Sequence, residues 1–140
     1  MSGLGRFLDA QSSVLESVER ELTEGRKATH WIWFVFPQIA GLGMSEMSKR
    51  YAIANIAEAE AYLAHPVLSD RLSRHVRLTM SHTNLSALSI FGSVDELKFH
   101  ASLTLFSRAS DDQALFGDAL EQFFDGFPHR LTLDVIGEFE

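Results

Sequence analysis

The sequence predicts an all-α fold, a single multihelical domain of about seven to nine short helices. Three observations carry this. Apolar residues recur at three- and four-residue spacing along the chain, and no other pattern repeats. The connections between the periodic stretches are short, as between neighbouring helices. The 140 residues are 46% hydrophobic and 22% charged, an ordinary composition for one domain spanning residues 1–140. A folded monomer of 15.7 kDa keeps roughly 7,300 Å² exposed and buries about two-thirds of its extended-chain surface, enough for a core without staples.

The first helix is predicted over about Leu4–Glu24, where Phe7, Leu8, Val14, Leu15, Val18 and Leu22 form one apolar stripe and Gly25 follows as a C-cap. After the polar turn GRKATH, Thr29 is placed to cap a short helix through HWIWFVF. That helix stops at Phe36, because Pro37 disfavours helix in the residue before it. Periodicity over so short a run also admits a buried strand; helix is preferred because no partner strand is evident elsewhere. Gln38–Gly43 reads as a loop in which Gly41 and Gly43 permit positive φ.

Ser45 starts a short helix to about Tyr51, and Asn55 with Glu58 forms a capping-box-like start to a helix ending at Ala64. Pro66 suits the first position of the next helix, which runs to about His82 with Leu68, Leu72, Val76 and Thr79 inward. Ser86 opens a short segment that Gly92 ends. Ser93 with Glu96 is a full S-x-x-E box, the clearest local signal in the chain, and starts a helix to about Ala109. Asp111 caps a helix that carries Leu115, Ala119, Leu120, Phe123 and Phe124 and stops at Gly126. Thr132–Ile136 is a terminal turn.

Composition excludes several functions. There is no cysteine, hence no disulfide, thiolate metal site or cysteine nucleophile. The net charge of −7 disfavours a phosphate-tracking surface, so no nucleic-acid partner is expected. The longest apolar run, Trp31–Pro37, is far below the ~20 residues that span a bilayer, so no membrane partner is expected either. MSGLGRFLDAQ has no basic start followed by an apolar stretch, so no signal peptide is expected and the chain reads as cytoplasmic. Gly-rich phosphate loops, H-E-x-x-H and G-x-S-x-G are missing. His30, His65, His75, His82, His100 and His129 never pair at i,i+3 or i,i+4, so neither a metal nor a cofactor is expected. Arg71, Arg74 and Arg77 share one helix face, read either as solvated or as a stripe for an anion or a partner.

Two segments carry the candidate chemistry. His30–Gln38 holds both tryptophans. Trp31 and Trp33 lie about 200° apart on a helix, so both sides of this element meet something bulky. It is either a central core helix or one wall of an aromatic pocket. In the second segment, Asp95, Lys98 and Ser102 share a helix face and Phe99 and Phe106 share a stripe. That polar face is either solvated or turns Lys98 into a cleft to meet an anion.

HWIWFVFPQIAGLG, YAI, AYLAHPVL and FGSVDELKFHASLTLF, in that order, resemble the family catalogued as domain of unknown function 1810. The resemblance covers nearly the whole chain. It implies a single-domain bacterial protein with a multihelical fold and no established activity. Some members carry the label calpastatin, an extended and disordered inhibitor; the composition here is the opposite. The family pattern falls on polar residues that packing alone does not explain, among them His30, Gln38, Tyr51, Lys98, Ser102 and Thr104. Together these give a candidate ligand site of His30, Trp31, Trp33, Gln38, Tyr51, Lys98, Ser102 and Thr104. In it Lys98 holds a small anionic or nucleotide-like metabolite, Trp31 or Trp33 stacks on a ring, and His30 gives or takes a proton. The alternative is a protein-interaction module without catalysis, using the Arg71–Arg77 stripe or the Phe116–Phe127 end.

Overall fold

One helix organises the molecule because its second half is buried on nearly every side. In the computed structural model, which describes residues 3–110 and 114–137, Phe99 and each residue from Ala101 to Phe106 are buried. A helix buried all round must be central. This helix packs against four others.

Nine helices occur among the described residues: α1 (Gly5–Ser12), α2 (Leu15–Glu24), α3 (Ile32–Val35), α4 (Glu46–Arg50), α5 (Ile56–Ala64), α6 (Pro66–Met80), α7 (Ala87–Ala109), α8 (Ala114–Phe124) and α9 (Arg130–Ile136). The central helix is α7, and α3, α5, α8 and α9 surround it. The fold is all-α and a single domain; among the described residues there is no sheet, and the one extended contact is an isolated Ile39–Ile53 bridge. The accessible surface is 7312 Å², matching the ~7,300 Å² expected of a compact chain of this mass. No helix of the described residues is long and apolar enough to cross a membrane.

Several predicted starts and stops hold. Gly25 ends α2 in the left-handed region at φ 76°, and a Cβ there would meet Leu85 Cδ1 at 2.8 Å. Asn55 Oδ1 accepts from the Glu58 N–H at 2.9 Å, and Glu58 Oε1 accepts from the Ala54 N–H at 2.8 Å. Pro66 opens α6, whose cap is the His65 ring. The aromatic segment is helical, one turn of α3, and leaves the helix at Phe36 as Pro37 requires.

Four expectations are corrected. The predicted first helix is two, broken at Ser13 and Val14. There the Ser12 and Ser13 hydroxyls donate back to the Leu8 and Ala10 carbonyls at 2.7 and 3.2 Å, competing with helix continuation. Thr29 does not cap α3; its hydroxyl donates to Glu21 Oε2 at 2.6 Å. The S-x-x-E box at Ser93 does not form. Ser86 caps α7 as expected, and the expected break at Gly92 is present as a kink, φ 86°, that divides α7 into two helical stretches. The terminal turn is a full helix, α9, that starts at Arg130 under a His129 cap. Asp111, the expected cap of α8, lies outside the described residues.

Candidate functional site

The α3 segment and α7 pack against each other through Phe36 and Phe99, whose rings lie 5.0 Å apart edge-to-face. This contact brings the residue after Pro37 beside the residue before Phe99. Two backbone bonds then pin the loop: Ile53 N–H donates to the Gln38 carbonyl at 2.9 Å and Ala40 N–H to the Ile53 carbonyl at 2.8 Å. Gly43 completes the wall, because a Cβ there would collide with Ser48.

The result is a cleft of about 280 Å³ between three elements. Gln38, Leu42 and Gly43 come from the loop, and Ser93, Val94, Leu97 and Lys98 from α7 just after its kink. His129 and Leu131 come from the start of α9. Below it a crevice too narrow for water runs between Trp33, Phe36, Ser48 and Tyr51, and Gln38 and Lys98 border both spaces.

Charge makes the cleft unusual. Asp95, expected on the Lys98 face, turns instead to Lys27, with Nζ to Oδ2 at 2.7 Å and the lysine side chain only 6% exposed. Lys98 is therefore half-buried with no carboxylate partner among the described residues. Gln38 is buried, and among the described residues its side-chain amide has no hydrogen-bond partner.

His129 was not singled out by the sequence. Its Nδ1 lies 2.9 Å from Thr132 Oγ1 and takes the Thr132 backbone N–H at 3.4 Å. A backbone N–H only donates, so Nδ1 is the acceptor and the proton of the neutral ring sits on Nε2. Burial, and then the neighbouring His100, hold its pKa below the ordinary histidine value, which favours that neutral form. Thr104 places this residue: its hydroxyl donates to the His100 carbonyl at 3.0 Å and accepts the His129 N–H at 2.8 Å.

The sequence-predicted residues separate into groups. Gln38 and Lys98 meet at the cleft, and Trp33 and Tyr51 line the crevice beneath. Trp31 is wholly buried with its indole N–H donated to Glu21 at 2.9 Å, so it has no face to offer a ring. His30 is exposed and lines neither space, so the proton-transfer role expected of it has no cleft to act in. Thr104 is buried and acts on the backbone of His129. Ser102 is buried, and its hydroxyl has no partner among the described residues. In the Arg71–Arg77 stripe, Arg71 is bonded to Gln11 and Arg74 to Glu19 and Asp70, while Arg74 and Arg77 are exposed and line a separate concavity with Asp70. No group of three or more His, Asp or Glu placed to hold a metal occurs among the described residues.

The orphaned Ser102 hydroxyl carries a desolvation penalty with no bond to offset it. Ser102→Ala is therefore expected to leave stability unchanged or raise it by about 1 kcal/mol. Chemical denaturation checks this; a clear loss of stability would mean that the hydroxyl is bonded in solution.

The chain is similar to the conserved hypothetical protein Rv1873 from Mycobacterium tuberculosis, known from a crystal structure at 1.38 Å. The two share 42% identity over 97% of each chain, with a TM-score of 0.94. No curated protein matches. The family model described as protein of unknown function DUF1810 matches residues 1–136, a span that contains every wall of the cleft, and the chain belongs to that family.

Proposed function

We propose that this domain binds a small organic anion in the cleft between α7, α9 and the Gln38–Gly43 loop, with Lys98 supplying the positive charge. The observation that carries the reading is the half-buried Lys98 ammonium, unpaired among the described residues, beside the equally unpartnered Gln38 amide. Both have donors to give and nothing in the protein to receive them. Ser93, on the same α7 wall as Lys98, and the Nε2–H of His129, at the start of α9, add two more donors. His129 stands where an acid–base group would serve a bound anion, the role that sequence reading gave to His30.

Size narrows the class. About 280 Å³ is at the small end of ligand sites, which run from about 300 to 1,000 Å³. Neither tryptophan presents an open face to the cleft. The reading is therefore of a compact metabolite rather than an extended dinucleotide.

Thermal-shift measurements with inorganic phosphate, short mono- and dicarboxylates and nucleoside monophosphates test it. A ligand bound only by the folded state raises the melting temperature with concentration. Lys98→Met keeps the aliphatic stem and removes the charge. It is expected to weaken binding by about tenfold or more, as loss of a charge-assisted bond does. Equal binding by this variant, or no response to any anion in the panel, overturns the reading.

A further inference from the structure

We infer that the anion is a monocarboxylate with an apolar body, an inference that rests on the anion-binding reading of the same cleft. Three large aliphatic side chains are more than half exposed on its walls: Val94 at 64%, Leu97 at 57% and Leu131 at 61%. Scattered exposed aliphatics are ordinary, but these converge on one concavity from two different helices. Leu42 adds a fourth apolar contact from the loop. The cleft is thus apolar over most of its wall and cationic at a single point, Lys98.

That single point sets the charge. One ammonium balances one negative charge, and the other polar groups, Gln38, Ser93 and neutral His129, are uncharged donors. No arginine lines the cleft, although bidentate recognition of phosphate favours one. A phosphate monoester is close to a dianion at neutral pH, and the chain already carries a net charge of −7. A carboxylate matches the site, and its hydrocarbon part covers Val94, Leu97 and Leu131.

The test is an NMR titration of the full chain with acetate, butyrate, hexanoate and octanoate, with hexanol and hexyl phosphate as comparators. Affinity is expected to rise about two- to fourfold per methylene until the cleft is filled. Hexanoate is expected to bind at least tenfold more tightly than hexanol and more tightly than hexyl phosphate. Leu97→Ser and Leu131→Ser change exposed positions; they are expected to flatten the chain-length dependence while thermal unfolding stays as in the parent. Carboxylates that all bind alike, and all need Lys98, overturn the apolar body and leave the anion site standing. Tighter binding of hexyl phosphate overturns the carboxylate alone. Hexanol binding as well as hexanoate, or carboxylate binding that survives Lys98→Met, overturns both readings.

Discussion

Glu21→Ala is expected to destabilise the fold by about 3–5 kcal/mol, while Glu21→Gln costs only about 1–2 kcal/mol. Glu21 is 3% exposed and is the common acceptor for the turn between α2 and α3. Its Oε1 accepts from the Ala28 N–H at 2.7 Å, the Thr29 N–H at 3.0 Å and the Trp31 indole at 2.9 Å. Its Oε2 accepts the Thr29 hydroxyl at 2.6 Å. Alanine orphans all four donors, one of them on a wholly buried tryptophan. Glutamine can put its carbonyl oxygen where Oε1 was, and its NH2 can donate to the Thr29 hydroxyl, which turns to accept. Urea unfolding of both variants measures the difference. Equal losses would mean that the negative charge, rather than the geometry of acceptance, holds this turn.

The same carboxylate makes stability acid-sensitive. Burial alone would raise its pKa, but the Thr29 hydroxyl, the Ala28 and Thr29 amides and the Trp31 indole outweigh burial and lower it from 4.5 to about 2. The unfolded state therefore takes up a proton before the folded state does. The stabilisation is complete above the unfolded value and is lost as pH falls from about 5 through 2, a loss of about 3 kcal/mol. Glu21→Gln is expected to lack this part of the acid response, so the wild-type lead of about 1–2 kcal/mol vanishes and the order of the two reverses as the pH is lowered towards about 2.

The helices were legible because their signals are local. Period, the Asn55–Glu58 cap and the His65–Pro66 start each lie within a few residues, and the structure keeps them. What was not legible depends on contacts distant in sequence. Asp95 sits one turn from Lys98, which reads as a pair, yet its partner is Lys27 across the fold. The box at Ser93 is correct in its residue types, but the Gly92 kink leaves Ser93 on the cleft wall without a capping bond. His129 had no local pattern at all. Its place at the cleft follows from the Thr104 hydroxyl holding its backbone, a contact between two helices. Sequence placed half of the cleft, Gln38 and Lys98, because the aromatic stretch and the Lys98 helix are each conspicuous; α9, which closes it, is not.

Phe99→Ala is expected to cost about 3–5 kcal/mol and, through its neighbours, to abolish anion binding as well. Phe99 is wholly buried and is the hub of the aromatic core. Its ring lies 4.5 Å from Phe91 in a stack, 5.0 Å from Phe36 and 5.7 Å from Phe123. Those partners belong to three elements, so truncation loosens the α3 segment, the kink of α7 and α8 together. In a chain of this length the loss lowers the melting temperature by roughly 10–15 °C. The functional effect follows from position. Phe36 precedes Pro37 and Gln38, Phe99 follows Lys98, and the contact between the two rings sets Gln38 and Lys98 on the same cleft. Phe99→Leu separates the two effects: it keeps most of the buried volume but not the ring edge that meets Phe36. It is expected to fold with a loss of about 1–2 kcal/mol while binding anions more weakly than the parent. Calorimetry on both variants with a carboxylate ligand makes the comparison. If Phe99→Leu binds as the parent does, the spacing of Gln38 and Lys98 is held by the Ile53 backbone bonds instead, and the aromatic pair serves stability alone.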